Sequence, residues 1–157
     1  MHLVARRAII SVNLSWEALA ALRPFCERLA ECRILLSHLG LPGPVEESPS
    51  GRLAAGFRPF FKMRHVGVKA SGFYAAERVA HAFPHRHARA LMLALAQRLG
   101  PDRLCWGSDF SPALAQVSFI QTIEAVRGAG FPACEAGAIL GGNLRDMLAR
   151  VAPLSNP

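Results

Sequence analysis

Residues able to do chemistry stand at or near the ends of four apolar runs in the sequence. They comprise one acid, one imidazole, one amine, one amide and three hydroxyls: Asp109, His38, Lys69, Asn13, Ser37, Ser71 and Ser108. A carboxylate can accept a proton from an attacking water or ligate a metal ion, and an imidazole can do either because its pKa lies near neutrality. Asp109 and His38 are therefore the first candidates for catalysis and for metal binding.

Each candidate also has a purely structural interpretation. Aspartate is common as a helix cap or in an Asx turn, and a histidine such as His38 can be buried and bonded to the backbone. Lys69 lies in an otherwise apolar run, so its charge needs either a partner within the protein or an opening to a site, where it could hold a substrate carboxylate. The weaker candidates would line a pocket or form turns: Ser71, Tyr74, Asn13 and Ser108.

The pair His85 and His87 is a tempting metal motif because a strand would aim both rings to one face. The pair follows Pro84 and leads into a helical pattern, however, and positions two apart do not share a helix face. We therefore predict a solvated helix start. Surface positions are predicted for two further histidines, and packing roles for both tryptophans: His65, His81, Trp16 and Trp106.

The elements that must position these side chains follow from apolar patterning. Short runs rich in β-branched and aliphatic residues predict strands at 9–14, 33–38, 66–71 and 103–107. The opening stretch, MHLVARRAIISVNLSW, has an apolar part too short for a signal peptide, and it is interpreted as a strand. Ser15 is a candidate N-cap for a helix that runs to about residue 32, with its apolar face at Leu19, Leu22, Phe25 and Leu29.

Further helices are predicted at 53–62, with Pro59 near a turn; from about 75, broken at Pro84 and resuming over 87–99; at 113–127; and at 135–150, interrupted by Gly141 and Gly142. Strands that alternate with helices in this way indicate an α/β fold with a parallel sheet. In such folds ligands bind at the carboxyl ends of the strands, where the polar residues named above stand.

Four segments carry a resemblance to a known family. They are LLSHLGLPGP at 35–44, VGVKASGFY at 66–74, GPDRLCWGSDFSP at 100–112 and ILGGNLRDML at 139–148. Together they resemble the amidohydrolase-related (amidohydrolase 2) family, which includes pyrone-dicarboxylate lactonase-like hydrolases and decarboxylases. The resemblance implies a partial (β/α)8 TIM barrel, in which the four strands are the fifth to the eighth and residues 1–157 form a single domain truncated at its N-terminus.

The same resemblance implies a function. It suggests hydrolysis of a C–O or C–N bond, lactonase-like, in a small carboxylated substrate, with Asp109 and His38 as catalytic residues and metal ligands. Lys69, Ser71, Tyr74 and Asn13 would then bind substrate. A divalent metal such as zinc is implied, although some members work without one, and the His-x-His pair of the family's first strand has no counterpart here. The alternative is a non-catalytic barrel remnant that binds a ligand or self-associates through its two open sheet edges.

The composition of the chain limits the classes of partner that we expect. The formal charge of +7 favours an anionic partner, but no basic run is interleaved with aromatics, so we expect a small anionic molecule rather than nucleic acid. No apolar run is long enough for a transmembrane helix, and no membrane partner is expected. The four cysteines form no CxxC pair, and we predict buried, reduced thiols in a cytoplasmic protein: Cys26, Cys32, Cys105 and Cys134.

Overall fold

The computed structural model describes residues 2–45 and 57–151, and they form a parallel sheet covered by helices. Its four strands are β1 (Ile9–Val12), β2 (Arg33–Leu36), β3 (Val66–Ala70) and β4 (Leu104–Trp106), hydrogen-bonded in that order. The register pairs Val12 with Leu36, Leu36 with Val68 and Ala70 with Trp106, so the carboxyl ends of all four strands lie at one rim. The predicted α/β fold and parallel sheet are confirmed.

Six α-helices are described: one precedes β1, one lies between β1 and β2, one lies between β3 and β4, and three follow β4. They are α1 (His2–Ala5), α2 (Leu19–Arg28), α3 (Arg86–Leu99), α4 (Phe119–Arg127), α5 (Ala133–Gly137) and α6 (Asn143–Leu148). A π-helical segment, Ala138–Gly142, joins α5 to α6 where the sequence predicted an interruption by glycine. Single 3₁₀ turns occupy Trp16–Ala18, His38–Gly40, Arg58–Phe60, Phe73–Ala76, Pro101–Arg103 and Pro112–Ala115.

The two faces of the sheet differ because side chains alternate along each strand. One face carries Ile34, Leu36, Val68 and Leu104, and these pack with α2 and α3 into the main core. The opposite face is apolar only near the amino ends of the strands, where α6 covers it in a second small core of Leu35, Cys105 and Met147 with Ile9 and Leu144 beside them. Toward the carboxyl ends this second face becomes polar, and it is there that the candidate site lies.

A buried arginine fastens the strands at their amino ends. Arg103 is 3% exposed. Its guanidinium donates to five backbone carbonyls, those of Val66, Phe61, Leu99, Phe60 and Met63, at 2.6–3.3 Å. Those carbonyls come from β3, from the loop before it and from the end of α3, so one side chain ties three segments together. Burial is the main reason that the pKa of Arg103 falls to about 10, still high enough for a charged side chain at neutral pH.

Two helix predictions and one strand prediction need correction. Residues 77–85 are not helical, because α3 begins at Arg86, where the Glu77 carboxylate accepts hydrogen bonds from the His87 and Ala88 amides. The helix predicted at 113–127 is a 3₁₀ turn followed by α4, which starts at Ser118 with a capping box closed by Gln121. The chain start is the short helix α1, and a strand appears only from residue 9. Of the helix predicted at 53–62, residues 53–56 lie outside the described ranges, Phe57 is helical, and Arg58–Phe60 form the 3₁₀ turn that contains Pro59.

Two predictions about side-chain burial are also wrong. Phe25 was placed on the core face of α2 but is 41% exposed. Cys134 is exposed, whereas the other three thiols are buried and all four are free. Burial raises the pKa of both Cys26 and Cys105 to about 11, which makes these two thiols poor nucleophiles. Within the described ranges, no helix has the length and apolar character to cross a bilayer.

Candidate active site

An imidazole, a carboxylate and two hydroxyls meet at the carboxyl rim of the sheet. His38 follows β2, and its Nδ1 atom lies 3.6 Å from Asp109 Oδ2, just beyond β4. The same Nδ1 is 3.1 Å from Ser71 Oγ, and Tyr74 donates its phenolic proton to Asp109 Oδ2 at 2.7 Å. The side chains of His38 and Asp109 are 21% and 16% exposed, so the pair is largely sheltered but open on one side.

The backbone at both candidate residues is held in the left-handed region. His38 has a φ of 52° and Asp109 also has 52°, and Leu39 and Leu41 beside His38 are left-handed as well. Such conformations cost a non-glycine residue about 1–3 kcal/mol and persist where surrounding contacts enforce them, which happens most often at functional sites. Here the His38 amide donates to Ser71 Oγ at 3.3 Å, and Trp16 Nε1 donates to the Leu39 carbonyl at 3.2 Å. These bonds hold the turn that presents the imidazole.

A glycine makes room for the imidazole. Gly72 has a φ of 60°, and a Cβ atom built there would lie 2.7 Å from His38 Nδ1 and 2.9 Å from its Cβ and Cγ. A side chain at this position would push the His38 ring away from Asp109 and Ser71. In the sequence, Gly72 looks like an ordinary glycine at the end of a strand, so its role beside the imidazole was missed.

A second polar group lies on the same face of the sheet. Lys69 and Ser71 stand two residues apart on and just after β3, so their side chains point to the same side. The Lys69 ammonium donates to Ser11 Oγ at 2.6 Å, and Ser11 Oγ lies 3.2 Å from Ser37 Oγ. Ser37 directly precedes His38 in the sequence. The hydrogen bonds from Lys69 through Ser11 to Ser37 therefore place the lysine charge next to the turn that carries His38.

The remaining predicted residues contribute less. Asn13 lies just after β1 and is exposed, and no hydrogen bond joins it to the cluster within the described ranges. Ser108 accepts a bond from the Phe110 amide at 3.3 Å, as a turn residue would. Ser11, which contacts Lys69, was not among the predicted residues. The signal for it was available, since it is a hydroxyl inside an apolar strand at the alternate position that faces away from the main core.

The phenol of Tyr74 is strongly influenced by the site. Burial, the hydrogen bond to Asp109 and the negative charge of that carboxylate, in this order, raise the pKa of Tyr74 to about 12. The phenol is therefore protonated at neutral pH and acts as a donor to Asp109. With Oδ2 held in this way and set beside the imidazole, the carboxylate has a fixed orientation.

His38 and Asp109 are the two residues of the site that could bind a zinc ion. Zinc in proteins takes four ligands, of which catalytic sites supply at least three from side chains at about 2.0–2.3 Å. His38 and Asp109 offer two donors, and within the described ranges no group of three or more histidines, cysteines, aspartates or glutamates comes together. The described residues by themselves therefore do not fit a zinc site, and the metal-ligand roles of His38 and Asp109 remain predictions.

The prediction of a solvated helix start at His85 and His87 is correct for His87 only. The His87 ring is 41% exposed at the start of α3 and its Nδ1 lies 2.8 Å from Glu77 Oε2. His85, in contrast, is 2% exposed. Its ring stacks on Phe73 with an angle of 25° between the planes, lies edge-on to Phe83 and is bonded through Nε2 to the Ala80 carbonyl. His85 packs behind the turn that carries Tyr74, so it supports the site rather than lying in solvent. Of the other two histidines, His81 is exposed as predicted, and His65 is half-buried with a bond to the Cys26 carbonyl.

The sheet and its helices form part of a (β/α)8 barrel, and the acid and the imidazole lie at its carboxyl rim, where barrel enzymes carry their active sites. The family model for amidohydrolases matches residues 3–150, and the chain belongs to that family. No curated protein sequence matches the chain.

Solved structures support the same fold. An amidohydrolase from Burkholderia multivorans with bound HEPES superposes with a TM-score of 0.83 at 24% identity, over 94% of this chain and 55% of that one. The zinc-bound crystal form gives a TM-score of 0.82 at 24% identity, with the same coverage of 94% and 55%. A probable 2-pyrone-4,6-dicarboxylic acid hydrolase from Acinetobacter baumannii with citric acid bound gives 0.69 at 19% identity, over 88% of this chain and 51% of that one. The chain thus spans about half the length of each of these proteins.

Proposed function

We propose that the carboxyl rim of this sheet is the catalytic half-site of a hydrolase that cleaves a C–O or C–N bond, lactonase-like, in a small carboxylated substrate. The observation that carries the proposal is the 3.6 Å approach of His38 Nδ1 to Asp109 Oδ2 at the rim. An imidazole turned toward a carboxylate through one ring nitrogen presents the other to a reacting molecule, and the carboxylate stabilises the imidazolium that forms. Membership in the amidohydrolase family supports hydrolysis as the reaction type.

The proposed reaction uses His38 as a proton shuttle. Nε2 accepts a proton from water while the water oxygen forms a bond to the scissile carbonyl carbon. The proton is then returned to the leaving oxygen or nitrogen as the C–O or C–N bond breaks, which yields an acid and an alcohol or amine. Asp109 orients the imidazole and balances its transient charge, and Tyr74 keeps Asp109 in place through the 2.7 Å hydrogen bond.

Lys69 is the proposed anchor for the substrate carboxylate. It is a cation on an otherwise apolar strand, and its ammonium group donates to the neutral hydroxyl of Ser11. A neutral partner leaves the ammonium charge available to an anion. One structural neighbour favours the same substrate class, since it is a probable hydrolase of 2-pyrone-4,6-dicarboxylic acid and was crystallised with citric acid.

The test is an assay of the purified chain on carboxylated lactones, esters and amides, with and without added zinc. Asp109→Asn and His38→Gln are each expected to lower turnover at least about 100-fold, because general acid–base catalysis typically contributes 10²–10⁴-fold. Asp146→Asn and His81→Gln make the same chemical changes at exposed positions away from the rim and should leave turnover within twofold. Turnover that survives both rim substitutions would contradict the proposal.

The second candidate function is ligand-free self-association, which the sheet edges favour. Within the described residues, β1 pairs with β2 alone, so one whole side of β1 carries unpaired backbone groups. The other edge is partly covered by the protein itself, because Asn143 Nδ2 donates to the carbonyls of Pro101 and Leu104 beside β4. A homo-oligomer would therefore form through β1.

A further inference from the structure

Four arginines that are scattered in the sequence converge at the amino end of the sheet. Arg7 precedes β1, Arg33 begins β2, Arg64 precedes β3 and Arg150 follows α6. They line one groove of about 450 Å³, together with His65 and Glu31. This volume is within the range of small-molecule sites. The groove lies at the pole opposite His38 and Asp109, so it is separate from the candidate active site.

The charge in this groove is poorly balanced. Its lining holds four arginines and one glutamate, Glu31. Arg64 forms an ion pair with Asp102 at 3.0 Å, with both side chains more than half exposed. Within the described ranges, Arg7, Arg33 and Arg150 form no ion pair, and Arg33 donates only to the Arg64 carbonyl. Exposed pairs such as Arg64–Asp102 contribute little and exchange readily with other partners.

A fifth guanidinium adds to this positive field. Arg103 is buried close to the groove residues Arg64 and Arg33. After burial, the repulsion from Arg64 is the next cause that lowers its pKa; the Asp102 carboxylate raises it, and a smaller repulsion from Arg33 lowers it. The three cations therefore lie within electrostatic reach of one another. Bringing like charges together costs free energy unless an anion joins them, and a bound anion would recover that cost.

We infer that this groove binds a diphosphate or triphosphate group, either as free inorganic polyphosphate or as the phosphates of a nucleotide. Planar guanidinium groups donate in pairs to phosphate oxygens, which makes arginine the preferred residue for such anions. Several guanidinium groups around a groove of this size match the two or three adjacent phosphates of these ligands. A single carboxylate would leave most of the donors without partners.

The experiment is calorimetric titration of the full chain with inorganic pyrophosphate and, separately, with ADP, at constant ionic strength. The site variant is Arg7→Gln with Arg150→Gln, since both side chains are exposed and neither has an ion pair to lose within the described ranges. The matched control is Arg23→Gln with Arg127→Gln, which removes the same charge from the surfaces of α2 and α4. Pyrophosphate binding should weaken at least tenfold in the site variant and stay within twofold in the control.

The other outcomes are also decisive. Equal loss of affinity in both variants would overturn the inference, because it would mean that net charge alone attracts the anion. Binding of pyrophosphate no tighter than binding of sulfate would overturn it as well, and so would binding of duplex DNA with no measurable binding of pyrophosphate. If the site stands, tighter binding of ADP than of pyrophosphate identifies a nucleotide as the source, and the reverse identifies an inorganic polyphosphate.

Discussion

The single tyrosine of the chain reports directly on the candidate catalytic pair. Tyr74 is the only tyrosine in the sequence, so tyrosinate absorbance near the red edge of the protein spectrum measures this one phenol. In the folded protein we expect half-ionisation at about pH 12, against the ordinary value of 10.0 that should reappear in denaturant. Because the folded pKa lies above the unfolded one, the stabilisation from the neutral phenol is present below pH 10 and is lost as the pH rises toward 12.

The Asp109 carboxylate contributes to the raised pKa of Tyr74 through its hydrogen bond and its charge. Asp109→Asn removes the negative charge and replaces one carboxylate oxygen with an NH2 group, so the pKa of Tyr74 should fall while staying above 10.0, because burial, its largest cause, remains. Asp146→Asn, at an exposed position on α6, should leave the titration unchanged. If Asp109→Asn does not move the tyrosine titration, the contact between the phenol and the carboxylate is absent in solution.

The sequence was enough to predict several of the side chains that meet at the rim. The placement of His38, Lys69, Ser71 and Asp109 at one rim was predictable, because each is a polar residue at or near the end of an apolar run and parallel strands bring such ends together. Gly72 could not be assigned its role, because a glycine at the end of a strand is also an ordinary turn residue. Only the fold reveals that its missing Cβ makes space for the His38 ring, 2.7 Å away.

At the level of secondary-structure elements, the Arg103 side chain holds β3, the loop before it and the end of α3 together. Replacing Arg103 with Met leaves five backbone carbonyls without their donor, and at about 1–3 kcal/mol for each buried group left unsatisfied we expect the free energy of unfolding to fall by more than about 3 kcal/mol. Urea unfolding followed by circular dichroism measures this change. Arg127→Met, at an exposed position paired only with Glu124, should change stability by less than about 0.5 kcal/mol.

Arg103→Lys tests the geometry of these bonds. Lysine keeps the charge but offers three donors from a single point, so it should recover part of the lost stability and not all of it. A loss below about 1 kcal/mol in Arg103→Met would show that the strands are held by apolar packing alone.

The order of elements could be predicted, whereas helix boundaries were harder. Apolar runs identified all four strands to within about two residues, since strands buried on one face by helices must be apolar. The start of α4 was available in the sequence, because Ser118 and Gln121 have the spacing of a capping box. The start of α3 was predicted at residue 87, one residue from the observed Arg86, but its cap was not. The amides of His87 and Ala88 are capped by Glu77, ten residues earlier, and this contact depends on the folded loop.

For the whole molecule, the two sheet edges differ in a way that bears on assembly. The Asn143 side chain occupies part of the β4 edge, whereas the outer edge of β1 has no such cover among the described residues. Two copies meeting through one self-complementary edge would form an isologous dimer. Each copy carries a formal charge of +7, so any such dimer should strengthen as salt screens the repulsion.

Backbone direction identifies the substitution that tests this dimer. The Ala8 and Val12 carbonyls accept bonds from the Arg33 and Ser37 amides of the β2 segment, so the intervening odd-numbered residues turn their backbone groups to the free edge. Ile9→Pro therefore removes a donor from the outer edge while keeping the bonds to β2. Ile9→Ala is the matched control, because it truncates the same side chain but keeps the N–H group.

Sedimentation velocity at increasing protein concentration and at low and high salt distinguishes the outcomes. We expect a dimer in the wild-type chain that is stronger at high salt, is retained in Ile9→Ala and is lost in Ile9→Pro, with the proline variant still folded by circular dichroism. A wild-type chain that stays monomeric at every concentration would rule out self-association through β1. Equal loss of the dimer in both variants would trace it to the Ile9 side chain, which packs beside Leu35 and Met147, and would exclude pairing of the backbone edge.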